Sequence, residues 1–394
     1  MRDAVSTREC VSITSIVAWR LRFRVYYMCI TAEARIDSMY AKQKSITDLT
    51  LTHLEELTTR LGAPAYRSKQ IRHWVYSGLA SSFDEMANLP KGLRQRLSDE
   101  ITLRAVSPKY EAVSSDGTVK MLFSLRDGKT IESALMRYST VKGHSHNTVC
   151  VSTQVGCPIG CPFCATGQQG FERNLTPGEI IDQALYFARR LRDEDGSAVD
   201  NIVFMGMGEP FLNFDAIWQA VETLNSPDGF GLGARQMTIS TAGIVPGIRQ
   251  LAHEGLQVGL AVSLHAADDA LRNKLVPINR KYPLEKLMTA CRDYIEATGR
   301  RVSFEYALFE GLNDSAEDAR ALGRLIKGMI CHVNLIAGNP TSDAEFRASD
   351  KGAVLAFQAE LELRHIPCTL RVKRGIDIDA GCGQLRSRMA GRSK

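Results

Sequence analysis

Apolar positions along this chain change their spacing twice. Between Ser45 and Ile101 they recur every three or four residues, which predicts amphipathic helices. Leu54, Leu57 and Leu61 form one such face, opened by a capping box on Thr52 and Glu55 and closed by Gly62 and Pro64. A second helix turns Ile71, Trp74 and Val75 inward and Arg67, Lys69 and Arg72 outward. A third starts at Pro90, with Leu93 and Leu97 buried and Arg94 and Arg96 exposed. From about residue 103 short alternating runs are separated by the turn pairs Asp116-Gly117 and Asp127-Gly128, which predicts a small antiparallel sheet. From Thr148 strands and helices alternate. The predicted strands are 148–152, 201–206, 236–240, 257–263, 301–308, 332–336 and 367–372. The first intervening helix is sharply marked, with Thr176 as N-cap, Pro177 at the first helical position and Glu179 closing the box. This rhythm predicts an α/β fold with a parallel sheet and outer helices.

The divisions that follow are 1–40, an extension of doubtful role; 41–102, helical; 103–147, β-rich; 148–376, the α/β body; and 377–394, a glycine-flanked cysteine loop with a basic tail. In the first of these, Val11 to Ile30 is apolar in places, but Arg20, Arg22 and Arg24 argue against a membrane span, and no signal-peptide cleavage pattern follows. The alternation from Trp19 to Val25 fits a strand, an RNA-binding arm or translated upstream sequence; we expect the last, with Met39 the start and residues 1–40 dispensable. At 394 residues there is room for one large and one or two small domains. The net charge of +5 permits a polyanionic partner without demanding one. Ten unevenly spaced cysteines are unlike a secreted disulfide framework and fit a reducing cytoplasm.

Three of those cysteines carry the strongest chemical signal. Cys157, Cys161 and Cys164 form C-x3-C-x2-C, with glycines and prolines breaking regular structure around them, so the thiols can curl round one centre. Structural zinc wants four ligands, usually as two separated pairs; a compact trio better suits an iron–sulfur cluster with one open iron, and zinc remains the alternative. His144 and His146 lie on a polar loop with no third ligand nearby and read as solvated.

The trio, followed by aromatic and glycine residues, resembles the signature of radical S-adenosylmethionine enzymes. The longer run from Cys150 to Leu175, CVSTQVGCPIGCPFCATGQQGFERNL, resembles the RlmN family, and the likeness covers the chain from about Ser45 onward. That family methylates C2 of an adenosine in the peptidyl transferase centre of 23S rRNA and of an adenosine in tRNA. The related Cfr family methylates C8 of the same rRNA adenosine. The resemblance implies an incomplete (β/α)6 radical SAM barrel with a small N-terminal helical domain that contacts RNA, and a short β extension. Chemistry then belongs at the C-terminal ends of the strands.

It further implies a 4Fe–4S cluster on Cys157, Cys161 and Cys164, and S-adenosylmethionine, two molecules per turnover, held by Gly208, Glu209, Ser240, Ser263, Leu264, His265 and Asn339. Glu209 would engage the methionyl ammonium. Relatives usually carry bulkier residues or proline where Ala337 and Gly338 precede Asn339. Adenine C2 lies between two ring nitrogens and cannot attack an electrophilic methyl, so the family splits the task. By resemblance Cys382 accepts a methyl group, a 5′-deoxyadenosyl radical activates it for addition to C2, Glu132 takes the C2 proton, and Cys150 releases product through a transient disulfide with Cys382. Without the resemblance, Glu132 reads as a surface strand residue, and Cys150 could itself be the base. Partners so implied are 23S rRNA, tRNA and an external electron donor, with a monomeric, cytoplasmic enzyme and no membrane. Arg371, Lys373, Arg374, Arg386, Arg388, Arg392 and Lys394 are expected to meet the RNA. The alternatives are Cfr-type C8 methylation, a non-catalytic zinc-stabilised RNA-binding protein, and a thiol–disulfide oxidoreductase built on Cys161 and Cys164.

Overall fold

A computed structural model describes residues 44–139, 145–337, 346–371, 374–378 and 384–386. Residues 1–40, His144, Gly338, Asn339, Lys373, Cys382, Arg388, Arg392 and Lys394 lie outside the described residues.

One ten-stranded sheet runs through the molecule. Strands β1 (Val106–Val113), β2 (Val119–Leu125) and β3 (Thr130–Ser139) form the antiparallel meander, turning at Gly117 and Gly128, both at positive φ. β3 pairs antiparallel with β4 (Ser145–Cys150), and the sheet then becomes parallel through β7 (Asn201–Phe204), β8 (Met237–Thr241), β9 (Gly259–Ser263), β10 (Val302–Leu308) and β11 (Cys331–Ala337). β12 (Cys368–Leu370) is added parallel at the far edge. A separate hairpin, β5 (Gln154–Gly156) with β6 (Phe171–Asn174), pinches the base of the loop that carries the cysteine trio.

The helix Pro177–Asp195 forms as its caps dictate. Thr176 Oγ1 accepts from Glu179 N–H, the Glu179 carboxylate accepts from Thr176 N–H, and Gly196 closes the helix at φ +73°. It buries Ile180, Ile181, Leu185, Phe187 and Leu191 against the sheet. Gln183 reaches from it to bond both the N–H and the C=O of Ser152 (2.8 and 3.0 Å), which fixes the chain just beyond β4.

The N-terminal helices differ in detail from the sequence reading. The first spans Leu51–Arg60 and is capped by Thr50, whose hydroxyl accepts from His53 N–H; Thr52 sits inside the first turn. Pro90 is the cap residue of Lys91–Glu100, one position earlier than expected. Arg72 is buried, its guanidinium 5.2 Å from the Tyr76 ring centroid and bonded to the Asp228 carbonyl, because a planar cation can stack where an ammonium would stay hydrated. Arg94 is half-buried and donates to the Asp84 carbonyl. This region docks on the body through Asp48, which accepts from Gly178 N–H at 2.8 Å, at the start of the long helix. No helix among the described residues is long and apolar enough to cross a membrane.

Candidate active site

The parallel strands end on one rim, and a solvent-open cleft of about 230 Å³ lies over that rim. Cys157, Cys161, Cys164, Gly208, Glu209, Ser240, Ser263 and His265 all line it.

The cysteine loop forms one wall. Gly156 lies at φ +78°, and a Cβ there would stand 1.9 Å from the Gly170 carbonyl oxygen, so only glycine lets the hairpin close beneath the thiols. Phe163, between the second and third cysteines, packs edge-on to His265 at 5.1 Å and against Phe309 at 5.2 Å, which anchors the loop to the rim. Burial pushes the Cys157 thiol up to about 12, helped by Glu209 and Cys164. Burial likewise holds Cys161 well above the usual thiol range, with Cys164 and Cys157 adding to it. Thiols that oppose one another's ionisation this way favour a strongly cationic centre that all three can ligate. A compact trio of thiols on one wall suits an iron–sulfur cluster better than structural zinc, which takes four ligands, usually as two separated pairs.

The second wall follows β7. Gly208 lies at φ +108°, and its missing Cβ would sit 2.6 Å from the Gln154 side chain, so the turn can pack this closely only without one. That turn delivers Glu209, whose carboxylate accepts from Phe211 N–H at 3.1 Å and Ala242 N–H at 2.6 Å. Burial raises its pKa to about 7 against the pull of these donors and the Thr241 hydroxyl. A buried carboxylate held by backbone donors, with no lysine or arginine of the described residues among the groups acting on it, is matched to an ammonium group from outside. The acid that must stay ionised is protonated as pH falls through about 7, so affinity for S-adenosylmethionine should drop about tenfold per pH unit below that point. In Glu209→Gln, binding should be weak and flat with pH. Equilibrium titration across pH 5.5–8.5 decides it, and a flat profile in the unaltered protein would remove Glu209 from this role.

The remaining rim residues differ in what they offer. Ser240 and Ser263 are half-buried and face the cleft. Thr241 Oγ1 accepts from the N–H groups of Gly243 and Ile244, which leaves its O–H for Glu209. Leu264 is fully buried, so only its backbone is on offer, and its carbonyl is already taken by Arg272. His265 sits at φ +60°, and its Nδ1 accepts from Ala307 N–H at 3.0 Å. Burial, then Arg272, pushes its pKa down to about 3, so the ring stays neutral with its proton on Nε2.

Cys150 and Glu132 lie beside this cleft rather than among its lining residues. Glu132 is not a surface residue. It forms a buried ion pair with Lys120 at 2.7 Å, their side chains 4% and 2% exposed, and its Oε1 accepts from Arg386 N–H. Cys150 stands on the strand paired with β3, and Ser133 Oγ donates to its carbonyl. Burial pushes its thiol up to about 11, opposed by Arg371, Met205 N–H and Lys120. Removing one partner of the buried pair is costly, so Lys120→Met should lower stability by about 3–5 kcal/mol at neutral pH. A shift in urea midpoint worth less than about 1 kcal/mol would mean that water reaches Glu132.

One other sequence reading changes. His146 is not simply solvated, since one ring nitrogen bonds the Asn201 amide and the other lies 3.7 Å from Asp200. The described basic residues at the mouth already have partners: Arg371 with Glu305, Arg374 over Tyr138 and near Asp116, and Arg386 with Glu172 and Gln169. Glu305 and Arg371 both line the cleft, and Glu305 was not singled out from sequence. Its signal was a carboxylate in the middle of an otherwise apolar strand, VSFEYAL.

A parallel sheet with a three-cysteine loop and a buried carboxylate on one rim is an arrangement compatible with the radical SAM class. Residues 151–323 match the radical SAM superfamily, and residues 44–103 match the ribosomal RNA large subunit methyltransferase N-terminal domain. The chain is similar to a protein of Desulfitobacterium hafniense (strain Y51) named "Probable dual-specificity RNA methyltransferase RlmN", 47% identical over 88% of this chain and 98% of that one. A protein of the same name from Moorella thermoacetica is 49% identical over 84% and 94%. Among solved structures, a radical SAM methyltransferase from Sphaerobacter thermophilus superposes with a TM-score of 0.84 at 49% identity, covering 87% of this chain and 99% of that one. The chain belongs to the RlmN family of radical SAM RNA methyltransferases. Its cofactors are accordingly a 4Fe–4S cluster and S-adenosylmethionine.

Proposed function

We propose that this enzyme methylates C2 of an adenosine in the peptidyl transferase centre of 23S rRNA and of an adenosine in tRNA, through a methyl group carried on Cys382. The observation that carries the reading is the docking of both flanks of the Cys382 loop. Before it, Gly375 N–H donates to Asp116 and Asp377 accepts from Ser114 and Ser115, all on the β1–β2 hairpin. After it, Leu385 is buried and Arg386 N–H donates to Glu132. Glu132 in turn lies two residues before Ala134, which pairs with Cys150 in the sheet. One flank of Cys382 is thus bonded to the β1–β2 turn and the other to Glu132 on β3, the strand that pairs with the one carrying Cys150.

When bound, the cluster and S-adenosylmethionine supply electron transfer, radical chemistry and the methyl group. The residues do the rest. Cys157, Cys161 and Cys164 hold the cluster, and Glu209 holds the ammonium that orients S-adenosylmethionine. Cys382, as thiolate, accepts the methyl group by displacement. With one hydrogen atom removed from the S-methyl group by the radical chemistry the cofactors supply, its carbon would bond to C2. Glu132, kept in place by Lys120, takes the C2 proton while the adduct gives one electron back to the bound cofactors. The Cys150 thiolate then attacks the Cys382 sulfur; an S–S bond forms, the C–S bond breaks, and its electron pair goes to the released carbon, which takes a proton. External one-electron and disulfide reductants reset a monomeric, cytoplasmic enzyme. Deleting the gene should remove 2-methyladenosine from both 23S rRNA and tRNA digests, and a plasmid copy should restore it. Appearance of 8-methyladenosine instead would favour Cfr-type chemistry.

A further inference from the structure

Arg272 is the largest of the fully buried side chains among the described residues. It stands on the helix Asp269–Leu275, behind the rim formed by β8 and β9. Its Nε donates to the Leu264 carbonyl at 3.0 Å, and its Nη2 donates to the carbonyls of Ala242 at 2.8 Å and Ser263 at 3.0 Å. Its Nη1 donates to Asn279 Oδ1 at 2.7 Å. All four acceptors are neutral. Asp269 is reached only through Asn279, whose amide donates to it at 2.8 Å. Of the other buried cations, Lys120 has Glu132 and Arg189 has Asp182 against it, while Arg72 stacks on the Tyr76 ring. Burying a cation without an anion costs several kcal/mol, and carbonyl dipoles offset only part of it.

The anion that would complete the arrangement belongs in the adjoining cleft. Ala242 and Ser263, two of the residues clamped by the guanidinium, line that cleft together with the three thiols. Three thiolates carry more charge than a 4Fe–4S core neutralises, and reduction adds one further negative charge. A fixed cation in a water-poor site favours the more negative state.

We propose that Arg272 is a positioning residue for the cluster: its buried guanidinium is the counter-charge that raises the cluster's reduction potential, while its fork fixes the ends of β8 and β9 that face S-adenosylmethionine. The proposal rests on Cys157, Cys161 and Cys164 being the cluster ligands. The test is a redox titration, followed by electron paramagnetic resonance, of holoenzyme reconstituted without oxygen. Asn279→Asp sets a carboxylate against Nη1 and leaves the carbonyl clamp in place. Arg272→Gln removes charge and clamp; Arg272→Lys keeps the charge and gives up the fork. In Asn279→Asp and Arg272→Gln the cluster's one-electron reduction equilibrium should fall about tenfold, a shift of ~59 mV to lower potential. In Arg272→Lys it should stay within about twofold of the unaltered protein. Iron content and thermal melts accompany each variant, and if Arg272→Gln does not fold, Asn279→Asp decides. An unchanged potential in iron-replete Asn279→Asp overturns the proposal, as does a fall in Arg272→Lys equal to that in Arg272→Gln. Absence of any 4Fe–4S signal in the unaltered reconstituted protein would overturn the ligand assignment instead.

Discussion

Cys161→Ala purified without oxygen should be nearly colourless, hold little iron after reconstitution with iron and sulfide, and form no methylated RNA. Removing one of only three ligands leaves too few thiolates to hold the cluster, and no other described cysteine stands among the residues lining that cleft. The same substitution at Cys368, at the sheet edge on β12, should leave iron and activity unchanged. Iron analysis and the visible spectrum read both outcomes. A Cys161→Ala protein that keeps its iron and its activity would show that the trio is not the ligand set. The melting temperature should change little in cluster-free protein, because alanine fills nearly the space of a cysteine.

The second large effect separates the two distant thiols. Cys382→Ala has no methyl carrier and should give neither product nor adduct. Cys150→Ala still accepts the methyl group and adds it to adenine, but nothing then attacks the Cys382 sulfur. RNA should remain bound to the protein as a band that survives denaturation and disappears with nuclease. Cys150 lies in the sheet, buried enough to push its thiol up to about 11, so a packing role is the competing account. Packing alone predicts a loss of about 1 kcal/mol of stability, partial loss of activity and no trapped RNA. Absence of the adduct, with cluster and S-adenosylmethionine binding intact, would leave the two-thiol route without support.

Much of the architecture was legible because it rests on local pattern. The Thr176–Glu179 box, the Asp116-Gly117 and Asp127-Gly128 turns and the seven β-runs from residue 148 are each dictated by neighbours in sequence. The Thr50 cap was missed because threonine at 50 and at 52 satisfies the same local rule, and only the hydrogen bond to His53 chooses between them. The site was legible where a motif stands in one stretch, as at Cys157 to Cys164. It was opaque where a charge is explained only by a partner far along the chain. Glu132 in TIESALMRYS reads as a surface residue, and Lys120 in VKMLFSL draws no notice, until β2 and β3 pair and bury them together. Arg272 resembles any helical arginine until the ends of β8 and β9 close over it. Charged residues within apolar strands were the available signal, and they marked Lys120, Glu132 and Glu305.

The central claim is methyl transfer to adenine C2 in RNA, and the most direct measurement is a reaction with purified parts. Enzyme reconstituted without oxygen would be mixed with S-adenosylmethionine, a one-electron reductant and a transcript containing the peptidyl transferase adenosine. Mass spectrometry of the nucleosides, against authentic standards, should then show 2-methyladenosine dependent on both Cys150 and Cys382. Formation of 8-methyladenosine, or of 2-methyladenosine at an undiminished rate in Cys382→Ala, would contradict the account.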